Sequence, residues 1–489
     1  MATVNSIHGT QANPQLPLRR LVGYGMGDAG CNIAFQMTGL FLLVYYTNVV
    51  GIRPEHSAMI FLFIKVWDAF ADIFAGRLVD KTMTRWGKFR PFLLWYSIPL
   101  LVSNLLCFWI PVSNYGMKLV WATVTYALMG LLYSLVNIPY GSLAGAMSQD
   151  PVDRSRMAAA RMVGSGATIL ILALFLAPAV KSGGNLEATF LITAVAFLVV
   201  GSAFFMTTFA TAKEVVYREV DQVSLKETLQ TVRRNGPLMR LCGSSLLYLT
   251  GQNVVSAMSV YIGADLLGKF SDGNWITPTV VVITTGAVLY MGPLGPMITR
   301  KLGKKQGFIL SCVASIVGLV LFWLGVAALN NLWACVIGLF ILGGGMAVLN
   351  TMTWALEADT VEYGEYQTGI RTEGATYAAF SFTRKVGQGV GMAMGSWVLG
   401  LAAYDASLKP GGGQSDGTLA SMALWFAVLA GACFLGALAI MSTYPLTEAR
   451  FSEIMAGIAK RRAAFGSISG GAEQEAYDLK KANAAEKGK

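Results

Sequence analysis

The sequence predicts an all-α membrane protein whose twelve transmembrane helices form two six-helix bundles. Hydrophobic residues make up 54% of the 489-residue chain and charged residues only 13%, which is about half the share found in soluble domains. Long uncharged segments recur along the chain, and basic residues are concentrated in alternate connections between them. This composition excludes a soluble enzyme, a disordered chain and an ordinary secreted protein.

The predicted spans are segments that lack Asp, Glu, Lys and Arg for long enough to cross a bilayer, which takes about 20 residues of helix. The longest segment, 306–356, holds two helices separated at Asn330 and Asn331. One further span, 57–79, is apolar apart from four charged residues. The other predicted spans are 29–52, 91–117, 119–149, 162–180, 188–212, 241–264, 273–299, 386–404 and 417–447.

Positive charge indicates the orientation of these spans. With a cytoplasmic N-terminus, the inward loops hold 18 Lys and Arg residues and the outward loops hold five, which is the bias expected in a bacterial inner membrane. Both termini are therefore predicted to be cytoplasmic. The net charge of +10 then reflects topology, and no nucleic acid partner is expected. No cleavable signal peptide is predicted, so the first span should remain as helix 1.

The longest inward connection divides the spans six and six. Glycine-bearing basic turns follow helix 2 (76–90) and helix 8 (299–305), which favours two related halves with a substrate site between them. Alternatively, short inward loops are simply rich in Gly and Lys. Residues 222–235 are predicted to form an amphipathic surface helix. The predicted parts are an N-terminal tail (1–20), a first bundle (21–210), a middle loop (211–238), a second bundle (239–447) and a mostly disordered C-terminal tail (448–489).

Charged residues within spans are the candidate functional residues, because a charge at the bilayer centre costs at least ~2.5–3.5 kcal/mol. Lys65, Asp68 and Asp72 in helix 2 are spaced three and four apart, so they share one helical face. Two carboxylates with one lysine leave a surplus negative charge, which favours a site for a coupling cation, H+ or Na+. A closed Lys–Asp ion pair is the alternative.

Three further cations lie in the spans. Arg161 opens helix 5 and could instead anchor that helix to lipid headgroups. Arg384 and Lys385 lie deep in helix 11, and adjacent residues point about 100° apart, so one of them is expected to line the cavity. Such a cation would bind a carboxylate or sulfonate, or pair with Asp68 or Asp72. Four cations against two carboxylates within the spans indicate an anionic substrate.

An acidic segment, 357–365, lies among the basic inward loops. We predict that salt bridges between the halves close the cytoplasmic side, and a solvated loop is the alternative. The predicted gate residues are Asp80, Arg85, Arg90, Glu357, Asp359, Glu362 and Arg371.

Long motifs give the chain a family resemblance. They are GYGMGDAGCN (23–32), YYTNVVG (45–51), WDAFADIFAGRLVDKTMTRWGKFRPFLL (67–94), LYSLVNIPYGSLAGAMSQ (132–149) and the segments around 354–374 and 381–388. On these motifs the chain resembles the glycoside–pentoside–hexuronide:cation symporters of the major facilitator superfamily, and most closely their glucuronide-carrying branch. The resemblance implies the major facilitator fold.

The resemblance also implies roles for matched positions. Asp68 and Asp72 match the positions at which the melibiose branch of the family binds its coupling cation. Lys385 matches the helix-11 lysine of that branch, which lies near the cation and sugar sites, and Arg161 matches its helix-5 arginine. We therefore expect cation coupling to depend on Asp68, Asp72 and Lys65.

Asn32 and Asn137 stand where the melibiose branch has sugar-binding carboxylates. With those carboxylates replaced and the cations kept, the site should attract an anionic glycoside such as a glucuronide. A sulfonated hexose or a neutral glycoside is the alternative substrate. The other predicted substrate-binding residues are Arg161, Tyr133, Tyr377, Ser381, Arg384 and Lys385, with Tyr24 and Phe380 as further ring faces.

The sequence therefore predicts a secondary active transporter, rather than an enzyme, that brings a glucuronide or related hexuronide into the cell by alternating access. H+ is the expected coupling ion because the site has fewer carboxylates than a sodium-binding site, and Na+ is the alternative. No cofactor or metal site is expected. The expected partners are the sugar, the coupling cation and the lipid bilayer, and the protein is expected to function as a monomer.

Overall fold

The structure is a computed structural model, and its described part is helical. It describes residues 16–82, 84–148, 151–181, 185–214, 233, 235–271, 273–291, 294–368, 373–408, 410–411 and 413–458. The predicted surface helix at 222–235 lies almost entirely outside these ranges, as do Arg371 and residues 459–489 of the C-terminal tail. The side chains of Asp80 and Tyr377 also lie outside the description.

In the described ranges, the helices that precede residue 443 form twelve successive segments, as the sequence predicts. The eighth, α8, has three pieces: Ile276–Thr284, Val288–Met291 beyond a 3-10 turn, and Gly295–Leu302. Turns of π-helix extend α1 (Tyr45–Val49), α5 (Leu172–Leu176) and α7 (Ile262–Leu266). The other segments are α1 Leu18–Val44, α2 Pro54–Lys81, α3 Arg90–Cys107, α4 Tyr115–Met147, α5 Pro151–Ile171, α6 Leu186–Thr211, α7 Gly236–Tyr261, α9 Lys304–Ala327, α10 Leu332–Thr368, α11 Glu373–Leu401 and α12 Asp416–Ser442.

Judged by length and composition alone, eight of the described helices could cross a membrane. They are α1, α3, α4, α5, α6, α9, α10 and α12. The other four have visible reasons for their lower hydropathy. Helices α2 and α11 contain the charged residues singled out above, α7 contains Gln252 and Asn253, and α8 is divided into short pieces. Three of these four helices therefore carry either charged candidate residues, as α2 and α11 do, or a break, as α8 does.

Packing divides the segments into two bundles with the same internal plan. In the first bundle α1 packs on α5 and α6, α3 packs on α4 and α6, and α2 packs on α4. Each of these pairs recurs six helices later, since α7 packs on α11 and α12, α9 on α10 and α12, and α8 on α10. Between the bundles, α2 meets α11, α1 meets α7, and the end of α5 meets α8. This correspondence is the pattern of a parallel repeat.

Several boundaries differ from the sequence prediction. Helices α1 and α5 begin at Leu18 and Pro151, well before the uncharged windows 29–52 and 162–180. The windows end at the first charged residue, whereas a helix continues through a charge that has a partner. The acidic segment 357–365 forms the last turns of α10, so it is not a separate loop. A helical stretch over 448–458 follows α12, within the tail that was expected to be mostly disordered.

The predicted division of the segment 306–356 is confirmed. Helix α9 ends at Ala327 and α10 begins at Leu332. Between them Asn330 has a φ of 43°, a left-handed conformation that asparagine adopts more readily than most residues. Helix α9 is apolar where it ends and α10 is apolar where it begins. This short polar turn is therefore the signal in the sequence that separates them.

Candidate functional site

The charged face of α2 meets α4 inside the first bundle. Lys65 Nζ lies 3.0 Å from Asp68 Oδ2, so the Lys–Asp pair considered as an alternative is present. The second carboxylate oxygen of Asp68 is buried and has no hydrogen-bond partner among the described residues. It faces Gly130 on α4, where a side chain would collide with it. The glycine therefore allows this carboxylate to approach α4 closely.

Asp72 joins the two bundles. Its Oδ2 atom forms an ion pair with Lys385 Nζ on α11, and its Oδ1 atom accepts a hydrogen bond of 2.6 Å from Ser134 Oγ on α4. The sequence predicts that a cation in helix 11 could pair with Asp68 or Asp72, and the structure selects Lys385 and Asp72. Ser134 is an additional polar contact of this site that the sequence reasoning did not single out.

A second polar network links α1 to α5. Arg161 Nε donates a hydrogen bond of 2.8 Å to Asp28 Oδ1, and Asn32 Nδ2 donates one of 2.9 Å to Asp28 Oδ2. Ser165 Oγ donates to Asn32 Oδ1 at 3.1 Å. Arg161 lies well inside α5 and is paired, so the lipid-anchor alternative is not supported. Asp28 was missed because it precedes the uncharged window assigned to helix 1.

Aromatic rings support the Arg161 network. The guanidinium carbon of Arg161 lies 5.3 Å from the centre of the Tyr140 ring, which stacks on Tyr24 at 4.8 Å. Tyr140 and Tyr24 are both buried, and each hydroxyl donates to the backbone carbonyl of the other. Tyr24 is thus engaged in packing beneath the arginine. A cation above an aromatic ring in this way gains about 0.5–1 kcal/mol at an exposed site.

Arg384 is held differently from the other cations. Its guanidinium carbon lies 5.7 Å from the ring centre of Trp354 on α10, and its Nε atom is buried without a hydrogen-bond partner in the described part of the chain. The nearby Glu357 carboxylate interacts with it electrostatically but does not reach ion-pair distance. Trp354 was not predicted as a site residue, and it is half-exposed beside the arginine.

Three of the other predicted substrate-binding residues, Tyr133, Asn137 and Ser381, have described side chains on α4 and α11, the helices that also carry Tyr140, Arg384 and Lys385. Tyr133 is half-buried, stacks on Phe35 at 5.9 Å and lies in the neighbourhood of Arg161 and Arg384. Asn137 and Ser381 are half-buried, and their side chains have no hydrogen-bond partner among the residues described. Phe380 is buried against Trp354 at 5.7 Å.

These contacts change the charge balance expected from the sequence. The count of four cations against two carboxylates omitted Asp28, which α1 carries into the site. Among the described residues, Lys65, Lys385 and Arg161 each pair with one aspartate. Arg384 is the remaining cation of the four and forms no ion pair there. The site is thus nearly neutral, with one uncompensated guanidinium.

The gate residues that the structure describes, Arg85, Arg90, Glu357, Asp359 and Glu362, lie at the membrane side on which α1 begins and α12 ends, called the terminal side below. Arg90 Nη2 donates to Phe209 O at 2.7 Å, and Arg85 stacks over Trp86 at 4.4 Å. Lys304 Nζ lies 2.6 Å from Asp359 Oδ1. Glu357 is buried and Glu362 lies on the same last turns of α10. The contacts of Arg85, Arg90 and Asp359 are made within their own bundles.

On the opposite side, mostly uncharged residues hold the bundles together, and Asp265 is the one carboxylate among them. Thr47 Oγ1 and the Tyr261 hydroxyl lie 2.5 Å apart, and the same hydroxyl donates to Asn48 Oδ1 at 3.0 Å. Asn48 Nδ2 donates to the Leu408 carbonyl at 3.0 Å, while Tyr404 donates to Asp265 at 3.2 Å. We call these residues the opposite-side cluster. The cluster was not predicted, because charged residues within the spans were taken as the main functional candidates.

Two six-helix bundles of the same plan, joined by the ion pair between Asp72 on α2 and Lys385 on α11, are typical of a membrane transporter. A family model described as MFS/sugar transport protein matches residues 23–448. The chain therefore belongs to this family of the major facilitator superfamily, which confirms the family indicated by the motifs. It is a multi-pass membrane transporter for small-molecule sugars and not an enzyme.

Known proteins agree with this assignment. The chain is 40% identical over 454 residues to the glucuronide carrier protein homolog of Escherichia coli (strain K12), covering 92% of this chain and 97% of that protein. It is 29% identical over 417 residues to the isoprimeverose transporter of Lactiplantibacillus pentosus, covering 82% and 86%. The crystal structure of nucleoside transporter NupG shares the fold, with a TM-score of 0.58, 13% identity and coverage of 88% and 99%.

Proposed function

We propose that this protein is a symporter that brings a glucuronide or a related hexuronide into the cell with H+. The observation that carries the proposal is the charge of Arg384, which forms no ion pair among the described residues, since Glu357 interacts with it only from beyond ion-pair distance. A substrate with one negative charge would complete the site. The 40% identity to a protein named as a glucuronide carrier homolog supports the same class of substrate.

The other polar residues have a role suited to a sugar ring. Asn32 and Asn137 can each donate and accept hydrogen bonds with hydroxyl groups, and Ser381 and Arg161 add donors. Tyr133 offers a ring face, and Tyr377 remains a further ring predicted from the sequence. In this assignment the substrate carboxylate binds Arg384, beside Trp354, while the hydroxyl groups bind the side chains of the first bundle.

Coupling is assigned to the aspartates of α2. Protonation of Asp72 would remove the charge that holds Lys385, and with it the ion pair between the bundles. The unpaired oxygen of Asp68 offers a second position for a proton. Na+ is the alternative ion, since Asp68, Asp72 and Ser134 present several oxygens to one region. We favour H+ because both carboxylates already have lysine partners.

Alternating access follows from the two sides of the interface. We assign the terminal side to the cytoplasm of a bacterial inner membrane, in accordance with the excess of basic residues there. Opening on the other side would break the opposite-side cluster. The predicted gate residues Asp80, Arg85, Arg90, Glu362 and Arg371, with Glu357 and Asp359, would then close the cytoplasmic side. The functional unit is assigned as the monomer.

Uptake into proteoliposomes tests the proposal. Purified protein is reconstituted, and an inward gradient of H+ or of Na+ is imposed separately with the membrane potential clamped. A radiolabelled aryl glucuronide should accumulate above equilibrium with the H+ gradient, and a protonophore should abolish this. Accumulation driven by the Na+ gradient alone would reject H+ coupling. Failure to carry the glucuronide under either gradient would reject the substrate.

A neutral glycoside is the second candidate substrate. It is favoured by the three ion pairs, which leave most of the site uncharged, and by the 29% identity to an isoprimeverose transporter. A sulfonated hexose would satisfy Arg384 as a hexuronide does. Uptake of an aryl glucuronide, the aryl glucoside with the same aglycone and a sulfonated hexose, measured side by side, separates these substrates.

A further inference from the structure

Asp28 is a buried carboxylate to which the mechanism above assigns no role. It lies on α1 and is only 5% exposed. Its Oδ1 atom accepts from Arg161 and its Oδ2 atom from Asn32, so a single carboxylate contacts two residues of the predicted sugar site. These two residues lie on different helices. Asp28 is therefore placed to set their relative position.

The contact leaves part of Arg161 free. Only Nε of its guanidinium is bound by Asp28, and its two Nη groups have no hydrogen-bond partner among the described residues. The arginine side chain is 41% exposed, while its aspartate partner is buried. A guanidinium held at Nε presents its two Nη groups in a fixed fork. Such a fork can donate to two adjacent hydroxyl groups of a sugar.

The network also fixes the amide of Asn32. Its Nδ2 donates to Asp28, and its Oδ1 accepts from Ser165. This pair of contacts determines which end of the amide points in each direction. Burial of Asp28 without Arg161 would be strongly unfavourable, because an unpaired buried charge loses its hydration. The aspartate and the arginine therefore act as one unit.

We propose that Asp28 is a positioning residue that sets the charge selectivity of the sugar site. It cancels the charge of Arg161 and fixes Arg161 and Asn32 so that this half of the site binds hydroxyl groups. Arg384 alone then binds the negative charge of the substrate. This inference rests on the proposed function, because it takes the central site to be the sugar site.

The first test is the ratio of affinities for an aryl glucuronide and the matching aryl glucoside. Asp28→Asn retains the shape but leaves Arg161 uncompensated, so we expect the ratio to shift toward the glucuronide by about fivefold or more. Asp28→Glu keeps the charge and should keep the ratio. The double variant Asp28→Asn/Arg161→Gln removes both charges and should return the ratio toward the wild-type value.

A purely structural ion pair gives a different result. Asp28→Asn would then weaken binding of both substrates equally, and the double variant would not restore the ratio. That outcome overturns the proposal. Binding is measured by calorimetry on protein of equal monodispersity, so loss of folded protein does not affect the ratio.

The second test does not depend on the substrate. Phenylglyoxal modifies arginines, and modification at Arg161 and Arg384 is followed by mass spectrometry of the intact, purified transporter. Release of Nε in Asp28→Asn should accelerate modification of Arg161 several-fold and leave Arg384 unchanged. An unchanged rate at Arg161 overturns the proposal even if the protein carries glucuronides. If wild-type protein carries no glucuronide, the proposed function fails, and the phenylglyoxal rates still decide the role of Asp28.

Discussion

The ammonium group of Lys385 on α11 forms an ion pair with the carboxylate of Asp72 on α2, and this pair joins the two bundles. Ser134 on α4 donates to the same carboxylate. Both charged side chains are largely buried, so the two residues stabilise each other only while both are ionised. A proton that reaches this carboxylate therefore acts directly on the contact between the bundles.

Loss of one partner should harm the protein more than loss of both. Lys385→Gln leaves Asp72 charged without its ion pair, and we expect the melting temperature in detergent to fall by about 5 °C. The double variant Lys385→Gln/Asp72→Asn removes both charges and should melt closer to the wild type. A double variant that melts as low as Lys385→Gln, or lower, would show that the two residues do not depend on each other.

Asp68→Asn should abolish accumulation of substrate against its gradient. Asparagine has nearly the shape of aspartate but takes up no proton, so the sugar would only equilibrate across the membrane. Exchange of labelled for unlabelled substrate should continue. Uptake and exchange are compared in proteoliposomes, with Asp416→Asn on exposed α12 surface as the matched control. Accumulation at the wild-type level would exclude a coupling role for Asp68.

Gly130→Ala should disturb the site through Asp68. A Cβ atom at position 130 meets the Asp68 carboxylate directly, and overpacking of this kind typically costs about 1–3 kcal/mol. We expect reduced accumulation and a lower melting temperature. Gly141→Ala on the same helix is the control, because nothing lies within 4 Å of a Cβ there. Equal behaviour of the two variants would contradict the close packing of α2 on α4.

Tyr261→Phe should favour opening on the opposite side. The change removes the hydrogen bonds to Thr47 and Asn48, which contribute about 0.5–1.5 kcal/mol each. Spin labels at the exposed positions Arg53 and Ser407, in a cysteine-free background, report the separation of the bundles by pulsed electron resonance. The fraction of molecules with a long distance between the two spin labels should increase.

Tyr45→Phe is the matched control for Tyr261→Phe. Its hydroxyl accepts from the backbone N–H of Ile110 within the first bundle, so its loss should leave the distance distribution unchanged. The role of the opposite-side cluster would be refuted by identical distributions in the wild type and Tyr261→Phe.

The sequence predicted the twelve segments because a bilayer makes charge-free length a strong signal. It was weaker at helix ends, where α1 and α5 continue through charges that have partners. Asp28 shows the consequence. It was counted outside the membrane, and its partner Arg161 lies far along the chain, so the sequence did not reveal their contact. Only tertiary structure brings such residues together.

The two adjacent cations in α11 were a second difficulty for prediction from the sequence. Arg384 and Lys385 are adjacent and both cationic, so periodicity alone could show only that they point in different directions. The packing of α11 against α2 and α10 separates their roles, with Lys385 on Asp72 and Arg384 beside Trp354. Two members of the opposite-side cluster, Thr47 and Asn48, lie in the YYTNVVG motif, but their partners Tyr261 and Leu408 lie far along the chain, so the motif alone did not reveal the contact.

We propose that Arg384 binds the negative charge of the substrate. Calorimetry of Arg384→Gln with an aryl glucuronide and the aryl glucoside of the same aglycone tests it most directly, with Arg53→Gln on the exposed surface as the control. A charge-assisted hydrogen bond contributes about 1.5–3 kcal/mol, so glucuronide affinity should fall about 10- to 100-fold while glucoside affinity changes little. Equal losses for the two ligands, or an unchanged glucuronide affinity, would contradict the claim.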